Sequence, residues 1–339
     1  MSLLALLTAK QTPPTPAPEP DADLPAVEDK PIPYTMPTAA PWNAPARCII
    51  PTYDGSNEPT HPGVVDMVAE TGKPWKGYRY WMVHTPYPRW NALYENPSIV
   101  VSNNGYDWHD TAVGITNPII PEPTKGGYNS DGDLFWNPDR NRMEMVYRPM
   151  TSPGERVEHL YTTDGVNWST PTVAVPTNMG GWVSPSVVRL GPGRWRMFAV
   201  NSNKPNTITY RDAPDPSGPW SGQVPTTEDR AGLNTSSKDI WHMDVTSPDA
   251  SGKMYGLVLT NPMGSLYAIT SRDEGLTWTY NPVPVLKALG GNWDRRELYR
   301  ATMTTLGDTA QVWYGHNGNN DSNPPAGIGY TRIPLSEWP

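Results

Sequence analysis

Five times along the chain a tryptophan closes a short polar turn. Ser102-Asn103-Asn104-Gly105-Tyr106-Asp107-Trp108 is echoed by Thr162-Thr163-Asp164-Gly165-Val166-Asn167-Trp168, and again by Ser271-Arg272-Asp273-Glu274-Gly275-Leu276-Thr277-Trp278. A degenerate copy runs from Arg211 to Trp220, and a fifth tryptophan, Trp338, follows Thr331-Arg332-Ile333-Pro334. The five tryptophans are separated by 60, 52, 58 and 60 residues, a period near 58. Spacing of this kind marks one supersecondary unit repeated along the chain. Within each corner an Asp or Asn can accept backbone N–H groups, a Gly can take positive φ, and the Trp can pack the turn against its neighbour. The corner is a structural device and carries no chemistry.

Upstream of each corner stands an apolar strand opened by polar residues two apart: His61-Pro62-Gly63-Val64-Val65, Asp131-Gly132-Asp133-Leu134-Phe135, Ser184-Pro185-Ser186-Val187-Val188, His242-Met243-Asp244-Val245-Thr246 and Arg300-Ala301-Thr302-Met303-Thr304. A second β-rich run follows in each unit, a third leads into the corner and a fourth leaves it. Four short strands per unit and five units predict an all-β fold, a five-bladed β-propeller. The abundance of chain breakers agrees, since 41 prolines and 29 glycines leave little room for long helices. The last unit ends at Trp338 and lacks a fourth strand, whereas Ala46-Arg47-Cys48-Ile49-Ile50 is an orphan apolar run. Residues 46–51 are therefore expected to pair with 326–333 and close the ring, covering an exposed edge. The propeller spans 46–339.

Residues 1–45 read differently. The first 46 residues hold 11 prolines, a composition for an extended polyproline-like arm that docks or tethers. Its opening apolar decapeptide lacks a basic n-region, so no export signal is expected, and no stretch approaches the roughly 18 apolar residues of a membrane span. Membrane insertion is not expected. Lys and Arg number 26 against 34 Asp and Glu, a net charge of −8, which excludes bulk neutralisation of nucleic-acid phosphates. The single cysteine, Cys48, cannot form an intramolecular disulfide.

The corner resembles the Asp-box of sialidase-type propellers, and the five-unit layout resembles the five-bladed glycosidases that include arabinanases, xylosidases and fructosidases. The string His61 to Met67, the run Tyr80 to Pro88 and Glu95-Asn96-Pro97-Ser98-Ile99 look like the propeller-bearing minor tail proteins of phages infecting Actinobacteria. That resemblance implies a virion tail-tip component, made in the host cytoplasm. Its N-terminal arm would join other tail proteins, and its propeller would bind host cell-envelope glycan.

In a propeller the inner strands open near the axis, which collects His61, Asp131, Asp133, Ser184, Ser186, His242, Asp244, Arg300 and Thr302 in one depression. Trp182, Trp241, Trp293 and Tyr299 stand beside them in sequence. Charged groups with indole and phenol rings suit sugar binding. Glycoside hydrolysis needs two carboxylates. The glycosidase resemblance implies acids on blades one, two and three, yet the matching positions hold His61, Asp131 or Asp133, and Ser184 or Ser186. Only the blade-two acid survives. The first expectation is accordingly a glycan-binding tail protein. The second is a glycan depolymerase that pairs Asp133 with Asp244 or Glu297, and the third is a tail scaffold. Asp66 is expected to be structural, Glu95 either structural or part of the rim, and His84 and His109 surface or packing residues. Metal binding by His61, His242 and the aspartates is a minor alternative, but no short ligand spacing of the zinc type and no Gly-rich phosphate loop occur, so neither metal nor cofactor is expected.

Overall fold

The computed structural model describes residues 46–110, 113–203, 206–230, 233, 239–260, 264–288, 297–317 and 326–339. The proline-rich arm and Trp293 lie outside the described residues.

Five sheets follow one another along the chain. Their inner strands are Pro59–Asp66, Tyr128–Asn137, Val183–Gly191, Ile240–Val245 and Glu297–Leu306, and each pairs antiparallel with the strand that follows it. Every inner strand also packs on the inner strand of the next blade, and the fifth returns to the first, which closes a five-bladed β-propeller. In the last blade the order is inner strand, Thr309–Asn317, Gly327–Pro334 and Ala46–Arg47. Ala46 and Arg47 pair with Tyr330 and Gly329, and Cys48 N–H continues the ladder to Ile328 O at 2.8 Å. Among the described residues no helix is long and apolar enough to cross a membrane.

The apolar core is divided into five wedges, one at each blade interface. Between blades one and two, for example, Trp81, Val83 and Ile99 meet Leu134, Trp136 and Met145. Between blades three and four, Phe198 and Val200 meet Met243, Val258 and Trp278. The corners serve these wedges. Asp164 Oδ1 accepts from Val166 N and Asn167 N, both at 2.8 Å, and Asp273 Oδ1 accepts from Thr277 N at 2.9 Å. The corner glycine is doubly required. Gly275 has φ +81°, and a Cβ there would stand 2.2 Å from Phe198 of the preceding blade; Gly165 presents itself to Trp81 and Gly105 to Trp313 in the same way.

All five inner strands carry an irregularity near the axis, with register shifts at 60/63, 130/133, 183/186, 240/242 and 298/301. Such bulges add a residue to one strand and re-aim its side chains. In blades one, two and three the bulged residue is a non-glycine with left-handed backbone: His61 at φ 52°, Asp131 at 53° and Ser184 at 51°. Each of these conformations costs on the order of 1 kcal/mol. Three of the five inner strands thus meet the axis on left-handed backbone.

Candidate functional site

The polar residues two apart form two rungs around the axis. The lower rung comprises Gly63, Asp133, Ser186, Asp244 and Thr302, and it ties blade to blade. Asp133 Oδ2 accepts from Val187 N at 2.7 Å, Ser186 Oγ from Val245 N at 3.2 Å, Asp244 Oδ2 from Met303 N at 3.1 Å and Thr302 Oγ1 from Val64 N at 3.4 Å. Gly63 has no side chain to offer, and a Cβ there would stand 2.9 Å from Gly132 O. The buried carboxyls of Asp133 and Asp244 are both pushed up, by burial first and, for Asp133, by its neighbour Asp244. They line a cavity of about 570 Å³ walled in part by Trp195, Tyr255 and Arg189. That cavity is formed by the C-terminal halves of the inner strands, so it lies at the opposite end of the axis from the residues that open them.

The upper rung comprises His61, Asp131, Ser184, His242 and Arg300, all buried. One ligand atom from each of His61, Asp131 and His242 lies within 4.8 Å of the other two. His61 Nε2 is 3.6 Å from Asp131 Oδ1, and His242 Nδ1 is 3.9 Å from the same oxygen. His61 Nε2, His242 Nε2 and Asp131 Oδ1 are buried with no hydrogen-bond partner. Buried polar atoms are normally paired, so three orphans in one cluster call for a ligand.

The partners that these groups do have fix their orientation. Asp131 Oδ2 accepts from Ser184 N at 3.2 Å and lies 2.8 Å from Arg148 Nε as an ion pair out of hydrogen-bond alignment, which turns Oδ1 toward the cluster. Ser184 Oγ meets His242 Nδ1 at 2.5 Å, and Thr85 Oγ1 meets His61 Nδ1 at 3.1 Å. Burial lowers His61 to about 4 and His242 well below its ordinary value, so both imidazoles are neutral near pH 7. Burial works against the charge on Asp131 too, but the charges around it, Arg148 first, outweigh it and hold the carboxylate far below its usual range. Two neutral imidazoles and one carboxylate, each offering an unpartnered atom, fit a divalent transition metal with open coordination positions. No short ligand spacing announces this set because its three donors come from three blades.

Of the other predicted site residues, Tyr299 packs against His242 at 4.4 Å and His61 at 5.0 Å between ring centroids, and Trp241 contacts His242 at 5.8 Å. Trp182 is half-buried and packs into the wedge between blades two and three. Arg300 reaches from the upper rung toward the lower, with Nη1 3.9 Å from Asp131 Oδ1 and Nη2 3.9 Å from Asp133 Oδ1. Glu297 opens the fifth inner strand, three residues before Arg300. Asp66 caps the helix Met67–Thr71 and pairs with Arg79 at 2.7 Å, a structural role. His109 is exposed, whereas His84 is fully buried in blade one.

Two charged residues belong to the site although the upper-rung pattern does not contain them. Glu95 Oε2 is buried and lies 3.4 Å from His61 Nδ1; burial, reinforced by the charge on Asp131, pushes its carboxyl well above the usual range. Arg148 is the one charge in the run Met145 to Met150, and nothing else in the sequence marks it.

No protein-family model matches the chain. It is 29% identical over an alignment of 319 positions to an A type blood N-acetyl-α-D-galactosamine deacetylase of Flavonifractor plautii, covering 75% of this chain and 39% of that relative's length. Among solved structures, an N-acetylgalactosamine deacetylase from F. plautii in complex with blood group B trisaccharide superposes with a TM-score of 0.73 at 23% identity, over 87% of this chain and 96% of that one. The α-L-arabinofuranosidase of Podospora anserina gives 0.57 at 12% identity over 85% and 96%, and the α-L-arabinanase of Penicillium chrysogenum 0.53 at 14% over 82% and 77%. The propeller resembling arabinanase-type glycoside hydrolases is thereby established. The expected phage minor tail protein, docked to other tail subunits, is overturned. The relatives are carbohydrate-active enzymes.

Proposed function

We propose that the protein is a metal-assisted hydrolase acting on a glycan, removing the acetyl group from an N-acetylated amino sugar. The observation that carries this reading is the cluster of His61, Asp131 and His242, three buried donors from three blades with atoms left unpartnered. The likeness to the F. plautii deacetylase supports it and suggests the substrate class. A divalent ion held by these three residues would supply Lewis acidity toward an amide carbonyl and a water of lowered pKa.

The chain's own residues do the rest. Thr85 and Ser184 hold the imidazole Nδ1 atoms, and Ser184 N with Arg148 holds Asp131 Oδ2. Glu95, outside the three-donor set, keeps a proton on a buried carboxyl beside His61 Nδ1 and would be the acid that protonates the nitrogen leaving as the amine. Tyr299 and Trp241 wall the cluster with rings that suit the C–H face of a pyranose.

Acetate release from an N-acetyl-α-galactosaminide oligosaccharide tests this directly. Acetate is expected with zinc, manganese or cobalt, lost after chelation, and absent in His242→Ala. A second reading, glycoside hydrolysis, is favoured by one observation: Asp133 and Asp244 form a carboxyl pair of raised pKa beside Arg300, on a fold shared with arabinofuranosidases. It predicts new reducing ends that vanish in Asp133→Asn, and no acetate.

A further inference from the structure

Residues 87–97 connect the second strand of blade one, Tyr80–Pro86, to its third, Ser98–Ser102, and carry Glu95. The segment therefore stands on the rim of the axial cluster. It is rich in aromatic groups, with Tyr87, Trp90 and Tyr94, and Tyr53 is fastened to it: the Tyr53 hydroxyl donates to Tyr94 O at 3.0 Å and accepts from Asn96 Nδ2 at 2.9 Å.

Its backbone is held in an uncommon form. Arg89 and Trp90 are consecutive residues at positive φ, 50° and 63°. Left-handed backbone is unfavourable for a bulky side chain and persists only where the surroundings impose it. Here Glu58 imposes it, with its carbonyl accepting from Tyr87 N at 2.8 Å and its Oε2 from Arg89 N at 3.2 Å. The outcome sets the Trp90 ring edge-on to Tyr87 at 5.7 Å between centroids, both rings half-buried. Beside them Tyr94 is 41% and Leu93 48% exposed, and Arg89 and Asn91 offer polar groups to solvent.

We propose that Tyr87 and Trp90 form a second sugar position on the blade-one rim, stacking on the pyranose that adjoins the N-acetylated residue at the axial cluster. This rests on the deacetylase reading, and it makes the substrate a chain end of an oligosaccharide rather than a free amino sugar. Indole and phenol rings take the C–H face of a pyranose, while Arg89 and Asn91 reach its hydroxyls.

The test compares acetate release from two probes, an N-acetyl-α-galactosaminyl trisaccharide and the methyl glycoside of N-acetyl-α-galactosamine, in wild type, Trp90→Ala and Trp90→Phe, all zinc-loaded. Wild type is expected to show a lower KM for the trisaccharide. Trp90→Ala should shrink that advantage about tenfold through KM rather than kcat, and Trp90→Phe should keep most of it. An advantage undiminished in Trp90→Ala overturns the rim assignment alone. If wild type releases acetate from neither probe, the deacetylase reading falls and takes the rim assignment with it. Should Trp90→Ala not fold, Trp90→Phe together with Tyr87→Leu decides by the same ratio.

Discussion

Ser184 holds two of the three donors by different atoms, and that separation yields a quantitative prediction. Its backbone N–H, 3.2 Å from Asp131 Oδ2, survives any substitution except proline, whereas its hydroxyl, 2.5 Å from His242 Nδ1, disappears in Ser184→Ala. Alanine can keep the left-handed backbone at φ 51° about as well as serine, so the bulge should persist. Only His242 loses its support. A group that orients a metal-bound histidine is worth roughly 10- to 100-fold in affinity, or about 1.4–2.8 kcal/mol. Ser184→Ala should therefore weaken zinc binding by that factor without abolishing it, and His242→Ala, which deletes a donor, should weaken it further. Calorimetric titration of zinc into protein dialysed against a chelator measures both. Ser184→Ala also leaves a buried imidazole nitrogen unpaired, so a stability loss of about 1–3 kcal/mol should accompany it in urea unfolding. If Ser184→Ala bound zinc as tightly as wild type, or His242→Ala lost nothing, the donor set assigned to the upper rung would be wrong.

Three further outcomes are expected. Gly275→Ala should cost about 2–5 kcal/mol in urea unfolding, combining the left-handed penalty with a clash against Phe198, whereas Gly252→Ala, at φ +79° in open space, should cost only about 1 kcal/mol; equal costs would refute the packing role of the corner glycine. Asp133→Asn keeps an oxygen for Val187 N–H and should retain acetate release, whereas Asp133→Ala should lose about 1–3 kcal/mol of stability through the unpaired N–H; loss of acetate release in a folded Asp133→Asn protein would place the lower rung in the chemistry. Asp164 is partly screened by solvent, and although burial opposes it, hydrogen bonds from Asn167, Val166 and Thr162 lower its pKa to about 2, below the unfolded value near 3.9. Its contribution is then present above that unfolded value and lost as pH falls through about 2. Asp164→Asn should be less stable than wild type at pH 7 by under about 1 kcal/mol, and urea midpoints of the two should converge near pH 2.

The propeller was legible because its repeat is written in residue types with local jobs. Asn104, Asp164 and Asp273 announce the turn, Gly105, Gly165 and Gly275 the backbone, and Trp108 and Trp278 the wedge, all within eight positions of one another. The axial residues were legible as a set for the same reason, since each pair opens a strand. What one strand cannot show is which rung meets which. Asp133 and Asp244 carry the carboxylates that a glycosidase reading wants, yet the ring places them among backbone N–H groups of the next blade. Glu95 sits in a connecting segment of blade one and Arg148 on the second strand of blade two, and both join the site only through the fold. The replacement of acids by His61 and Ser184 suggested lost chemistry. In three dimensions it is an exchange: a second imidazole with His242, and a hydroxyl to hold it.

The two rungs also explain how one frame can carry unlike reactions. The lower rung binds blade to blade through groups whose geometry the ring fixes, so Asp133, Ser186, Asp244 and Thr302 are constrained by assembly. The upper rung stands two residues earlier, on bulges whose strain in blades one to three is borne by those ties. Substitution at an upper position changes a donor at the axis without breaking the bonds between blades. On the deacetylase reading, the imidazoles of His61 and His242 supply donors from upper positions, while the ties between blades stay with the lower rung. Swapping His61 for asparagine should therefore weaken zinc binding while leaving the unfolding free energy within about 2 kcal/mol of wild type, because Asn is neutral, tolerates left-handed backbone and leaves Val64 N–H its acceptor on Thr302. An unfolding free energy lower by several kcal/mol would show that the upper rung bears assembly load after all.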